Sequence, residues 1–264
     1  KLMELTKLKL KNITEKLLGT FLNAGEVAKK ISQKGVKITI KADKSPVTDG
    51  DLAVDALLRG KILNLTPGIP IISEETVNLN IKNKNKNKTF WLVDPIDGTK
   101  DYIKKRDEYT LNAALIMDFK LAIGVVYAPA KNRLFFSYGK NLAFEINNGK
   151  KIVLDCKKIN SNEIIGLENS GGTPNEILSI YKKYKVTKKL MMSSSLKFCI
   201  LASGEADIYA AEARAFEWDI AAGHAILEHA GGSVTTHEEK KILYGKENFK
   251  NFPIIAKRSN NLEK

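Results

Sequence analysis

The stretch Trp91-Leu-Val-Asp-Pro-Ile-Asp-Gly-Thr-Lys-Asp-Tyr102 constrains this chain more than any other. Phe90 to Val93 are a short run of bulky apolar residues, the pattern of a strand covered on both faces. Asp94 closes the run, and Pro95 fixes one backbone angle and withholds an amide, so the ladder is expected to stop there. Asp97, Gly98 and Thr99 come just beyond the turn. Two carboxylates on a stiff turn at the mouth of a strand pack poorly but suit a hard cation such as Mg2+. Gly98 and Thr99 offer bare amides at the expected start of a helix, where unpaired N–H groups and the dipole favour a phosphate. Asp-Pro and Asp-Gly are each ordinary turn formers. Turn chemistry does not need two aspartates, a glycine and a threonine together behind a buried strand, so the whole string points to adjoining metal and phosphate sites.

A chain of 264 residues with 43% hydrophobic content can build a real core, as two modest domains or one large one. No apolar run is long enough for a membrane span, and Lys1 to Lys11 lacks the continuous apolar segment of a signal peptide. Cys156 and Cys199 are too few for a disulfide framework and lack metal-ligand spacing. Cys199, inside Phe198-Cys-Ile-Leu201, reads as a reduced core residue, and a cytoplasmic location follows. The formal net charge is +13, but the lysines are scattered and no basic stretch is interleaved with aromatics. No nucleic-acid partner is therefore expected, while a general positive field would draw in a small polyanionic substrate.

Along the chain, Leu10, Ile13, Leu17, Phe21, Ala24, Ala28 and Ile31 keep helical spacing and predict a long amphipathic helix from Thr6 to Ser32, ended by Gly35. Val36, Ile38 and Ile40 alternate with polar residues and predict a half-buried extended segment. A second helix opens at Lys44-Ser-Pro-Val-Thr-Asp-Gly-Asp51, with Leu52, Ala56 and Leu63 as its expected apolar face and Thr48 and Asp51 as a capping box. Ile71-Ile72 reads as a short strand ended by Ser73-Glu-Glu75. Asn78 to Lys88, alternating lysine and asparagine, reads as a surface connector. Thr110 to Met117 and Leu121 to Tyr127 predict a hairpin about Asp118-Phe-Lys120, and Arg133 to Tyr138 and Leu142 to Ile146 continue the β pattern.

After about Leu154 the pattern changes to alternating strands and helices: Ile164 to Leu167, Pro174 to Tyr184, Leu196 to Ala202 capped by Ser193-Ser-Ser195, and Ala206 to Tyr209. Glu217-Trp-Asp-Ile-Ala-Ala-Gly223 begins a last helix closed by Gly231-Gly232, its small residues inviting close backbone packing. His224 and His229 are five apart, on different faces of that helix, which is not zinc spacing.

Asp94-Pro-Ile-Asp-Gly-Thr99 resembles the signature of the inositol monophosphatase superfamily of Mg2+-dependent, lithium-sensitive phosphatases. Lys44-Ser-Pro-Val-Thr48, Leu111-Asn-Ala-Ala114, Ser194-Ser-Leu-Lys-Phe-Cys199 and Trp218-Asp-Ile-Ala-Ala-Gly-His-Ala225 extend the likeness over nearly the whole chain, toward a bisphosphate nucleotidase branch. The resemblance implies a layered α/β/α/β/α sugar-phosphatase-like fold, with an antiparallel sheet in the N-terminal half and a mixed sheet in the C-terminal half. It implies an α+β domain over residues 1–154 carrying most metal ligands and an α/β domain over 155–264 supplying Asp219 and substrate contacts. Two or three Mg2+ ions would be held by Glu74, Asp94, the Ile96 carbonyl, Asp97 and Asp219, since four converging carboxylates repel one another unless cations intervene. Thr99 and Asp51 would orient the attacking water. Glu74, Ile96, Asp97, Gly98, Thr99, Ser195, Lys197 and Asp219 would meet the substrate, with Glu75 just behind. The implied reaction is hydrolysis of the 3'-phosphate of adenosine 3',5'-bisphosphate, a nucleotide bisphosphate, to AMP and phosphate. The alternative is an inositol- or sugar-phosphate phosphatase with the same metal site, and a remote one is a nucleic-acid-binding protein without catalysis, which the net positive charge alone would suggest. The branch carries Pro-Arg after its counterpart of Tyr209 where this chain has Ala210-Ala211, leaving Arg214 as the substitute cation. Peripheral association with the inner membrane is compatible with the resemblance, and no oligomeric state follows from it.

Overall fold

The computed structural model describes residues 6–77, 87–157, 162–259 and 262; most of the lysine- and asparagine-rich connector, 78–86, lies outside them. Helix α1 (Lys7–Lys34) starts where Thr6 accepts from the Lys9 amide and ends at Gly35, whose φ of 97° suits a residue without Cβ. Its buried stripe, Ile13, Leu17, Phe21, Ala24 and Ala28, follows the periodicity expected of it. A two-stranded ribbon follows, β1 (Ile38–Ile40) and β2 (Pro46–Thr48). The half-buried face expected of β1 is corrected: all three residues are exposed, because the strand pairs with β2 alone and neither face meets a second layer.

Helix α2 (Asp49–Leu65) carries the capping box in full, and it also corrects the expected apolar face. Leu52 and Leu63 are more than half exposed, while Asp51, Val54, Asp55, Leu58 and Ile62 are buried. Two aspartates on the inward stripe hide it from a reading by hydrophobicity; they are tolerated because Asp55 takes Ser73 and Arg59, and Asp51 takes Thr48 and Thr99.

Seven strands form the first large sheet, in chain order: β3 (Ile71–Ser73), β4 (Phe90–Asp97), β5 (Thr110–Met117), β6 (Lys120–Ala128), β7 (Arg133–Ser137), β8 (Ala143–Asn147) and β9 (Lys150–Val153). The β3–β4 pair is parallel and the rest are antiparallel. Helix α3 (Thr99–Ile103) lies between β4 and β5. The ladder does not stop at Asp94. Asp94 faces Asn112 and Asp97 faces Thr110, so three steps on β4 match two on β5, and Pro95 and Ile96 sit in that bulge. A bulge absorbs the missing Pro95 amide and lets pairing resume, which is why the strand outruns its expected end.

The second sheet has the order β11 (Lys188–Met191), β10 (Ile165–Glu168), β12 (Ile208–Ala211), β14 (Ile254–Lys257) and β13 (Ser233–Thr236). It is mixed, with β10 parallel to β11 and β12 and the β14 pairings antiparallel. Three helices accompany it: α4 (Asn175–Lys183), α5 (Leu196–Ala202) and α6 (Glu217–His229). Strands β11, β13 and β14 had no counterpart in the sequence reading. β11 is an exposed edge bearing Lys188 and Lys189, without the alternation that marks a half-buried strand.

The cores stack these elements in five layers. Trp91 and Val93 of β4 face α1 and α2, while Phe90 and Leu92 face α5 and α6. Those two helices lie between the sheets, and α4 covers the outer face of the second sheet through Ile177 and Tyr181 against Ile208 and Ile255. The α/β/α/β/α arrangement, antiparallel in its first large sheet apart from the β3 edge and mixed in its second, is thus present. Close approach of α6 depends on small residues: a Cβ on Gly124 would stand 2.5 Å from the Ala222 carbonyl oxygen, and one on Gly223 would stand 2.7 Å from Phe198.

Candidate active site

Three of the acids come together at the junction of the layers. Glu74 follows β3, Asp94 lies on β4 before the bulge, and Asp219 occupies the first turn of α6. One carboxylate oxygen from each lies within 4.8 Å of the others. The parallel pairing of β3 with β4, extended by the Glu74 amide bonding to the Val93 carbonyl at 3.1 Å, sets Glu74 beside Asp94. Asp219 arrives from far along the chain because α6 is pressed against the first sheet. Its Oδ2 accepts from the Phe216 amide at 2.7 Å, which fixes the carboxylate at the helix start.

Asp97 borders this group without being one of the three. Its Oδ2 accepts from the Ser195 amide at 2.5 Å. Burial raises Asp97 to about 6, against the opposing pull of Lys197 and the Ser195 amide. Asp94 and Asp219 are pushed well above the usual carboxylate range, first by burial and then by neighbouring carboxylates. Asp94 Oδ1 is buried with no hydrogen-bond partner. Concentrated negative charge with an orphaned oxygen at its centre is costly unless a cation shares it. An all-oxygen donor set of this kind fits a hard divalent cation.

Beside the acids stands a second pair. Thr99 Oγ1 lies 3.2 Å from Asp51 Oδ1 and 3.1 Å from the Ile96 carbonyl oxygen. Asp51 Oδ2 accepts from the Thr48 amide at 2.8 Å and the Thr48 hydroxyl at 2.5 Å. The capping box therefore starts α2 and aims the other Asp51 oxygen at Thr99. Burial raises the Asp51 carboxyl, only partly offset by these bonds. Gly98, at φ 89°, turns the chain from β4 into α3.

The third component is the turn Ser193 to Ser195 and the start of α5. The expectation that these serines cap α5 is corrected at Ser195, whose side chain makes no cap bond. Its hydroxyl instead bonds Asn112 and stands 2.9 Å from Thr110 Oγ1. Lys197 is buried, donates to the Met192 carbonyl at 3.3 Å and lies over the Tyr209 ring at 4.9 Å. A cavity of about 290 Å³ is lined by Asp97, Ser194, Ser195, Lys197, Arg214 and Asp219 among others. Lys197 thus presents a positive charge in the same recess as two of the acids.

Some members of this site escaped the sequence reading. Lys41, at the end of the ribbon, lies 3.1 Å from Glu74 Oε1 and 3.1 Å from Glu75 Oε1. Burial alone would lower its ammonium, yet the two glutamates hold it above its ordinary value. Glu75 itself rises to about 7, through burial and then Glu74. Asn112 was quoted only within a motif; its signal was a lone polar residue inside the apolar β5 run. Glu108 carried no signal at all. His224 pairs with Tyr244 and Glu228, and His229 with Ser137, as structural contacts away from the acids.

Comparison with known proteins agrees with this geometry. The chain matches the inositol monophosphatase family over residues 9–262. It is 40% identical over 233 residues to the 3'(2'),5'-bisphosphate nucleotidase CysQ of Buchnera aphidicola subsp. Acyrthosiphon pisum, covering 86% of this chain and 85% of that protein. It is 33% identical over 225 residues to the enzyme of the same name from Escherichia coli K12, covering 84% and 89%. The crystal structure of CysQ from Bacteroides thetaiotaomicron superposes with a TM-score of 0.78 at 29% identity, covering 94% of this chain and 97% of that one. A family match across almost the full length, on a fold that brings Glu74 and Asp219 to Asp94 of the signature, establishes that this chain belongs to the inositol monophosphatase family.

Proposed function

We propose that this protein is a Mg2+-dependent phosphatase that removes the 3'-phosphate of adenosine 3',5'-bisphosphate, giving AMP and phosphate. The observation that carries the reading is the meeting of Glu74, Asp94 and Asp219 around an unpartnered Asp94 oxygen, next to the recess containing Lys197. Glu74, Asp94, Asp97, Asp219 and the Ile96 carbonyl would hold two or three ions. When bound, such ions offset the carboxylate repulsion, polarise the phosphoryl oxygens and stabilise the departing alkoxide.

The chain's own residues do the rest. Thr99 donates its proton toward Asp51 Oδ1, which leaves an oxygen lone pair to accept from a water. As that water attacks phosphorus in line, its proton passes to Thr99 while the Thr99 proton passes to Asp51. A buried carboxyl with a raised pKa is a better proton acceptor than a solvated one. Gly98 and Thr99 amides at the start of α3, with Lys197 and Ser195, hold the anionic substrate. Arg214, exposed at the rim of the same recess, takes the second phosphate in place of a cation at Ala210-Ala211.

The nucleotidase names of relatives at 33% and 40% identity support the nucleotide as substrate. The exposed position of Arg214 favours the second reading, an inositol- or sugar-phosphate phosphatase, because a rim cation is a weak anchor for a second phosphate. Comparing kcat/KM for adenosine 3',5'-bisphosphate and inositol 1-phosphate with Mg2+ separates them, with Li+ inhibition expected in both. Phosphate release that survives EDTA would refute both readings. No described helix is long and apolar enough to cross a membrane, and the buried free thiols Cys156 and Cys199 suit a cytoplasmic enzyme.

A further inference from the structure

Three successive residues of the second half are bonded to one short segment of the first. The Ser193 amide donates to Glu108 Oε2 at 2.8 Å, and the Ser194 hydroxyl donates to the Glu108 carbonyl at 2.5 Å. The Ser195 hydroxyl sits on Asn112 and Thr110. Between these anchors the Ser195 amide reaches Asp97. Ser194 has φ 58°, in the left-handed region that a residue with a Cβ adopts only when its surroundings hold it there. No side-chain cap on Ser195 supplies that restraint. The turn also lies over Gly98, where an added Cβ would stand 3.7 Å from Ser194 Cβ, and Lys197 follows two residues on.

We propose that Glu108 is a positioning residue for the reaction. Its carboxylate and carbonyl clamp the Ser193–Ser195 turn, and through that turn they set the Asp97 carboxylate and the start of α5 that bears Lys197. Remove the side chain and the Ser193 amide loses its acceptor, the turn stays tied to residue 108 only through its main-chain carbonyl, and the Ser195 amide is no longer held squarely on Asp97. The residue touches neither the three clustered acids nor Thr99, so its effect is indirect. Its role in turnover rests on the phosphatase reading; its role in holding Asp97 does not.

The test compares Glu108→Ala and Glu108→Gln with the parent protein. Calorimetric titration with Mg2+ in the absence of substrate, KM and kcat for adenosine 3',5'-bisphosphate, and Tm are measured on each. Glu108→Ala is expected to weaken cation binding about tenfold or more, as loss of a residue supporting a metal ligand does, and to raise KM, with Tm little changed. Glu108→Gln keeps an oxygen that accepts from the Ser193 amide and is expected to stay within about twofold of the parent. The proposal fails if Glu108→Ala binds Mg2+ like the parent, or if Glu108→Gln is impaired as badly as Glu108→Ala. Should Glu108→Ala not fold, Ser194→Ala, which deletes the bond to the Glu108 carbonyl together with the longer 3.4 Å contact from the Leu196 amide, must weaken Mg2+ binding for the clamp to stand. If the parent protein binds Mg2+ but leaves the nucleotide intact, the nucleotide reading falls while the titration still decides the clamp.

Discussion

The mouth of β4 and the start of α6 deliver carboxylates to the same point by opposite means. At β4 the means are local: a proline, a bulge and a glycine at φ 89° place Asp94, Asp97 and Thr99 within six residues. At α6 the placement is remote. Asp219 reaches the cluster because Gly124 and Gly223 let the helix lie close to the sheet and to α5. The first device is written in a dozen residues, whereas the second needs two layers to pack without a misplaced methyl.

The most severe way to break the comparison is to neutralise one acid from each side. Asp94→Asn and Asp219→Asn are each expected to cut phosphate release about a thousandfold or more, a barrier increase of about 4 kcal/mol. Equal losses support one shared site; activity retained in Asp219→Asn would detach α6 from it. Next comes Thr99→Ala, expected to lower kcat about a hundredfold with little change in cation binding, while Thr99→Ser recovers most of the rate. Steady-state kinetics with a parallel Mg2+ titration checks it.

Gly124→Ala tests the remote device without touching an acid. The added methyl meets the Ala222 carbonyl, so stability should fall by about 1–3 kcal/mol by denaturant unfolding, and kcat/KM should fall with it. The same loss of about 1–3 kcal/mol with kcat/KM intact would show that Asp219 does not need this close approach.

The smallest expected effect is in pH dependence of the metal-free protein. Asp97 and Glu75 are raised by burial to about 6 and about 7, and Asp94 and Asp219 are likewise pushed well above the usual carboxylate range by burial and neighbouring carboxylates. In the folded state these groups hold protons that the unfolded chain has released, so their contribution is fully present below about pH 4, the unfolded value, and is lost as pH rises through the folded values. Between about pH 4 and 7 they therefore make stability fall as pH rises. Asp94→Asn removes part of that slope, and saturating Mg2+ should oppose it by favouring the ionised acids. Unfolding free energies across that range, in EDTA and in Mg2+, check the sign.

Much of the fold was legible because its signals are periodic. The α1 stripe, the β5–β6 hairpin and the cap of α2 each follow from neighbours within a few residues. Where the reading failed, a tertiary partner had changed what a residue was for. Asp51 and Asp55 sit on the buried face of α2 because Thr48, Thr99, Ser73 and Arg59 satisfy them, and no hydrophobic pattern records that. Ser195 stands where a cap is expected, yet its hydroxyl goes to β5.

By itself, the amino-acid sequence determined the local device: Asp94, Asp97, Thr99 and the turn that spaces them lie within six residues of one another. Tertiary structure alone decided that Glu74 and Asp219 join Asp94, that Lys41 neighbours Glu74, and that Glu108 holds the serine turn. The physical reason is reach. Dihedral preferences and capping act over a few residues, whereas these contacts exist only once strand pairing and helix packing have excluded water from between the layers.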